Sequence, residues 1–364
     1  MLTPFWKKKN HTTSKNISSI TFDLELENST KNLAMSGHNT VLLPNGYLAI
    51  YGGYNNNKCK CDFYIMDLEE LPDLNQKNIV SNKLYNSRII RDVLPKLASS
   101  AMCSHPYKNI VYIFGGSGEN WGRSNSDIFI IINLDDNTQK ITHTMENSGP
   151  PASYGATINF YKDKLYVFGG TNGLIFYNHI YEYDLKTEKW SQKHTIGKIP
   201  TARYKHNSFI NDDYLYIMNG GQYESFQDDM HVYKLNLKTF NWEQCQVLGD
   251  IPSNYIASGC SFDPTQNYVW IFGGRYGNNL KSNKIYGYSL ETQQCKEFMF
   301  ENNFKLVESK LKKLQSPMQG REFHTVCIYK NKLISMAGST GVERLGTVTV
   351  FYLPLQSPDA ASIL

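Results

Sequence analysis

Apolar residues recur along this chain in short runs, each stopped by glycine. The runs are LAIYGG (48–53), VYIFGG (111–116), LYVFGG (165–170), LYIMNGG (215–221), VWIFGG (269–274) and LISMAG (333–338), the last with Ala337 in place of one glycine. Apolar runs this short, bounded by turn residues, predict buried strands rather than helices. An alternating segment precedes each run, such as ASYGATINFY (152–161) or YKHNSFI (204–210). A loop follows, then a third strand such as IYEYDL (180–185) or HVYKLNL (231–237). A fourth strand is predicted to start near Trp190 and Trp242, just past the polar turns KTEKW and KTFNW, and Cys295 holds that place in the fifth copy. The last glycines of the runs recur every 51 to 64 residues, and Leu68, Leu134, Leu185, Leu237, Leu290 and Leu353 follow them by 15 to 18. Two landmarks in register over six copies mark a repeated four-stranded antiparallel unit, the blade of a β-propeller.

The glycines have a physical cause in such a ring. A strand near the crowded axis must turn sharply outward, and the backbone there needs positive φ or close approach to its neighbours. Phosphate-cradling loops are excluded, because none of the glycine pairs opens a helix or is followed by Gly-Lys-Ser/Thr.

The last copy supplies only three strands: REFHTVCIY, KLISMAG and TVTVFYL. Near the start of the chain, residues 20–27 (ITFDLELE) alternate apolar and polar without interruption and have no repeat of their own. They are expected to complete blade six as its outermost strand and so to close the ring, since an unpaired edge would be exposed. The predicted fold is therefore all-β, a six-bladed propeller over residues 17–354, with a flexible segment at 1–16 and a tail at 355–364. Two insertions break the rhythm. One is the stretch from Glu70 to Lys96; the other contains FKLVESKLKKLQ (304–315), which can form a short basic amphipathic helix. That helix reads as a solvated surface excursion or as a docking element for an acidic partner.

Composition narrows the function classes. Aromatics reach 13%, with 25 Tyr, which suits sheet. A formal net charge of +4 over 364 residues gives no concentrated basic face, so nucleic acid is not an expected partner. No apolar run is long enough to span a membrane, the first residues do not read as a signal peptide, and seven scattered Cys do not suggest a disulfide framework. A cytoplasmic location is expected. Cys59-x-Cys61 has no second pair at zinc spacing, so no metal is expected. No nucleophilic triad can be picked out, and neither catalytic residues nor cofactors are expected.

LYVFGG, YEYDLKTEKW and PTARYKHNSF (200–209) together resemble the kelch repeat, over almost the whole chain. The resemblance implies a propeller whose partners dock on the face built by the loops before the first strands and after the glycine pairs. It places His38, His206 and His324 in a structural slot, with core imidazoles expected. It places Arg203 and Arg321 in an Arg slot that holds Met35, Ser153 or Asn254 in other copies, followed by Tyr154, Tyr204 and Tyr255. The candidate partner-binding residues are Trp121, Arg123, Arg203, Tyr223, Phe226, Arg275, Tyr276, Arg321 and Arg344, expected to be exposed around one rim and to favour an acidic partner segment. Some kelch-fold plant proteins hold iron with Glu, Asp and His at three-residue spacing. Glu224, Asp228 and His231 come close, but His231 is one residue early, which on a strand turns it to the other face. Kelch chains often carry an F-box or BTB domain, and none is read here. The expected function is a non-catalytic protein-interaction scaffold. The alternative is a kelch-fold enzyme acting on a small sugar-like substrate.

Overall fold

A computed structural model describes residues 17–23, 25–26, 33–69, 71, 83–86, 94–120, 122–222, 230–299 and 319–354. Six sheets are arranged in chain order around an axis, and the first strands of neighbouring blades touch all the way round, blade 6 against blade 1 included. Blade 3 shows the pattern. Its strands Tyr154–Tyr161, Lys164–Thr171, Ile180–Asp184 and Lys189–Lys193 form an antiparallel meander from the axis outward. Trp190 pairs with Tyr183, Trp242 with Leu235 and Cys295 with Tyr288, so the three residues are equivalent and all are buried.

Alternation along each strand gives every blade two apolar faces, and each is buried against a different neighbour. Leu165, Val167 and Tyr183 of blade 3 pack with Tyr112, Phe114 and Phe129 of blade 2. Tyr166, Phe168 and Ile180 pack on the other side with Leu215, Leu235 and Trp242 of blade 4. Six such clusters occupy the six interblade seams, and the seam between blades 6 and 1 joins Ile334, Met336 and Val350 to Leu48, Ile50 and Met66.

Closure comes from the N-terminal strand, as the alternation predicts, but with different limits. Ser18–Asp23 pairs antiparallel with Thr347–Tyr352 as the outermost strand of blade 6, while Glu25–Leu26 leaves that blade and pairs parallel with Lys83–Leu84 of blade 1. One continuous stretch thus straddles the seam. Blades 4 and 5 gain similar fifth strands, Ile196–Gly197 and Leu248–Gly249, from the Pro-containing stretches that lead into them. The proposed flexible segment 1–16, the tail 355–364 and the helix at 304–315 lie outside the described residues.

Ile17, buried among Trp270, Phe298, Phe351 and Leu353, anchors the closing strand. Ile17→Ala should destabilise the fold by about 2–4 kcal/mol. Deleting residues 1–26 should lower the melting temperature and expose the Thr347–Tyr352 edge to self-pairing, read by gel filtration. A deletion product that stays monomeric with an unchanged melting temperature would overturn the closure scheme.

Candidate functional site at the propeller axis

The glycine pairs end the second strand of each blade, where it meets the next blade. At Gly169 and Gly170, φ is +70° and +91°, and a Cβ on Gly169 would lie 2.8 Å from the Arg203 carbonyl oxygen of the next blade. Approach of the neighbouring blade, rather than an outward turn alone, therefore excludes a side chain there. The second residue of each pair donates its N–H across the seam: Gly53 to Leu97 O, Gly116 to Ser153 O, Gly170 to Arg203 O, Gly220 to Tyr255 O, Gly274 to Arg321 O and Gly338 to Met35 O, at 2.8–3.0 Å. This register corrects two sequence assignments. In blade 4 the pair is Asn219–Gly220, with Asn219 at φ +59°, and Gly221 lies beyond it. In blade 5 the Arg slot holds Tyr255, so Ile256, not Tyr255, matches Tyr204.

A second ring lies two residues further along. Gly37 donates to Phe323 O, Ser99 to Gly37 O, Gly155 to Ser99 O, Lys205 to Gly155 O, Ala257 to Lys205 O and Phe323 to Ala257 O, at 2.6–3.1 Å. The six amides form a closed head-to-tail circle, and all six residues have φ between +53° and +67°. Four of them are not glycine. Left-handed backbone at a non-glycine residue costs about 1 kcal/mol, which the bonds around the circle must offset.

The Arg slot is structural. Arg203 and Arg321 are each only 4% exposed, which corrects their assignment to an exposed binding rim. Arg203 donates to Thr201 O at 3.0 Å and Asn219 O at 2.8 Å, and lies over the Tyr233 ring. Arg321 donates to Ala337 O at 3.3 Å and lies over Phe272. Burial pushes the Arg321 guanidinium down to about 10. All six residues in the slot are buried, and the ring uses only their carbonyls, so side chains as different as Met35, Ser153 and Tyr255 serve there.

The histidine slot is also core. His38 Nε2 bonds to Thr325 Oγ1 at 3.0 Å, His206 Nε2 to Thr157 Oγ1 at 2.9 Å, and His324 Nε2 to Phe272 O at 2.9 Å, each across a seam. Their Nδ1 atoms are buried without a hydrogen-bond partner among the described residues. Burial pushes all three down to about 3, so they are neutral imidazoles. Among the described residues no group of His, Cys, Asp and Glu is placed to hold a metal; Glu224 and Asp228 lie outside them.

On the glycine-loop side of the amide circle lies a cavity of about 900 Å³, reached by loops of blades 2, 3 and 5. Tyr154, Tyr204 and Phe323 line it together with Arg123 and Arg275. Arg123 is exposed. Arg275 is half-buried and paired with Glu322 at 3.3 Å, a carboxylate it shares with Lys281 at 3.6 Å. Tyr276 is half-buried against Tyr255, and Arg344 is half-buried over the Tyr54 ring. Trp121, Tyr223 and Phe226 lie outside the described residues. Sequence reasoning missed the exposed aliphatics of the same loops: Leu174 (89%), Ile175, Leu280 and Val342 (95%). The signal was present in GLIF and TGVE.

The axial geometry and the repeat register agree with a sequence comparison. A profile of the KLHDC2/KLHL20/DRC7 Kelch-repeats domain matches residues 70–255 and 220–358. The chain belongs to the kelch-repeat family. Human Kelch domain-containing protein 10 is 26% identical over 269 residues, 72% of this chain and 59% of that protein. A leucine-zipper-like transcriptional regulator 1 homolog from Drosophila melanogaster is 22% identical over 271 residues, 70% of this chain and 26% of its own length. The Drosophila Kelch domain-containing protein 10 homolog is 25% identical over 232 residues, 60% of this chain and 37% of that protein. The matches thus cover less than two thirds of these kelch relatives.

Two predictions test the structural reading of the slots. Arg203→Ala should cost about 2 kcal/mol or more in a denaturant titration, because it leaves the Asn219 carbonyl buried without its donor. The imidazoles set an acid limit. Their folded pKa values lie below the unfolded 6.5, so the unfolded chain binds more protons and stability falls as pH drops from 6.5 toward 3. Each should contribute about 2 kcal/mol of loss between pH 6.5 and 5, measured as a shift in denaturant midpoint.

Proposed function

We propose that this kelch propeller is a non-catalytic protein-interaction module whose glycine-loop face receives a partner segment. The near-complete exposure of Leu174 and Val342 on loops of that face is the observation that supports this most. Presenting aliphatic groups to water gains the fold nothing, and exposed apolar groups on loops of one face are what an interaction surface offers. The cavity beside Leu174 adds an aromatic floor of Tyr154, Tyr204 and Phe323 and the cations Arg123 and Arg275. The partner segment in this reading presents apolar side chains to the aliphatic loops and an acidic group to Arg123. The acidic component is smaller than four clustered arginines would imply, since two are buried and Glu322 offsets a third.

A cytoplasmic site of action accords with seven free cysteines, three of them buried. No described helix is long and apolar enough to cross a membrane.

Partners recovered by affinity purification should bind the purified chain directly. Leu174→Asp combined with Val342→Asp should weaken that binding at least about tenfold, with stability within about 0.5 kcal/mol because both side chains are already in water. Arg123→Ala should weaken it less and reduce its salt dependence. A partner that binds the double variant as tightly as the parent would remove the face assignment.

A further inference from the structure

Blades 4 and 5 carry fifth strands beside their outermost meander strands, and blade 3 does not. The stretches that lead into these three blades are in register, with Gly197, Gly249 and Asn147 each six residues before the Arg slot. Both glycines have left-handed backbone, at φ +85° and +88°. A Cβ on Gly249 would lie 2.5 Å from the Cys295 carbonyl oxygen, and one on Gly197 would likewise meet the Trp242 carbonyl. Only glycine lets the backbone come that close. Blade 3 has Asn147 at this place, and its stretch coils instead. Met145–Asn147 form one turn of 3-10 helix, and the Gly149 N–H donates back to Thr144 O at 2.8 Å.

The outer edge of Lys189–Lys193 in blade 3 therefore has no strand beside it among the described residues. The neighbouring blades show what such an edge accepts. In blade 5 the Leu248 N–H donates to Gln293 O at 2.9 Å and the Asp250 N–H to Cys295 O at 2.8 Å, while the Asp250 carboxylate accepts from the Glu297 N–H at 3.1 Å. In blade 4 Ile196 and Lys198 make the same two backbone bonds, to Phe240 O and Trp242 O. Trp190 is equivalent to Trp242 and Cys295, so the matching groups of blade 3 are the carbonyls of Glu188 and Trp190 and the N–H of Gln192. Glu188, Phe240 and Gln293 also share one backbone conformation, with φ between +55° and +57°.

We propose that the outer edge of blade 3 binds an extended segment of a partner protein, of the form apolar-Gly-Asp-apolar-Pro, laid parallel to Lys189–Lys193 as the missing fifth strand. The proposal is independent of the loop-face reading, because this edge lies on the outer rim of the ring, at the opposite end of the sheet from the axis.

Charge selects the blade 5 form of the segment over the blade 4 form. Lys189 is exposed on this edge and pairs with no carboxylate among the described residues, so an acid at the place of Asp250 is attracted where a lysine like Lys198 is repelled. The glycine and the backbone carry the rest of the recognition. Leu248 and Ile251 stay 42% and 43% exposed even when seated, so no deep side-chain pocket is filled. Main-chain bonds supply the affinity in strand addition of this kind, and a few of them at a solvent-exposed edge hold weakly, with Kd roughly 0.1 to 1 mM.

The test is microscale thermophoresis of the labelled full chain titrated with the peptide QVLGDIPS, the sequence of its own residues 246–253, with amide hydrogen exchange to locate the contact. Amides at 188–193 should gain protection. The same peptide carrying Gly249→Ala should bind at least about tenfold more weakly, because its Cβ meets the Trp190 carbonyl. Asp250→Lys in the peptide should weaken binding at least about threefold, with the difference shrinking as salt rises. Gln192→Pro in the full chain removes an edge N–H, which an outermost strand tolerates, and should weaken the parent peptide at least about threefold at an unchanged melting temperature. If that variant does not fold, the two peptide variants decide the matter. No binding at millimolar peptide, equal binding by either peptide variant, or full binding by a folded Gln192→Pro would each overturn the proposal. Protection confined to 240–245 and 293–298 would also overturn it, since the peptide would then be exchanging with the chain's own fifth strands.

Discussion

No blade of this protein can bury its own faces. A four-stranded antiparallel sheet with alternating residues has two apolar surfaces, and every apolar cluster at a seam is shared between two neighbours. An arc of five blades would leave two large apolar faces in water, so burial favours closing the ring. The seam between blades 6 and 1 is chemically like the others, with Ile334, Met336 and Val350 facing Leu48, Ile50 and Met66. The strand Ser18–Asp23 makes that seam cooperative by tying one end of the chain to the other.

Apolar packing alone does not set the angle between blades. That is the task of the two hydrogen-bond circuits at the axis, in which each blade donates to a carbonyl of a neighbour. Both circuits require left-handed backbone, at the glycine pairs and at the circle from Gly37 to Phe323. Because the partners are backbone atoms, side chains at these places can vary while the geometry stays constant. This accounts for the mixed occupancy of the Arg slot.

The circle also partitions the axis into two compartments of different chemistry. The glycine-loop side offers aliphatic tips, an aromatic floor and partly compensated cations. The strand side offers hydroxyls and amides of the six first strands. Phe323 lines both.

The local pattern determined much of this fold. Apolar runs stopped by glycine, Trp190, Trp242 and Cys295 at one repeat position, and the unmatched alternation near residue 20 together specify six blades and a closing strand, because strand periodicity and turn chemistry are local properties. Only the tertiary structure decided which side of a seam each residue faces. Arg203 and Arg321 read as surface cations until the approach of the next blade buries them. Tyr255 reads as the counterpart of Tyr204 until interblade hydrogen bonds shift it by one place. Lys205 is one residue of PTARYKHNSF in the sequence, and only ring closure sets it on the axis beside Phe323, more than a hundred residues away. Burial and electrostatic environment are created when distant segments meet, and one-dimensional periodicity does not encode which segments those are.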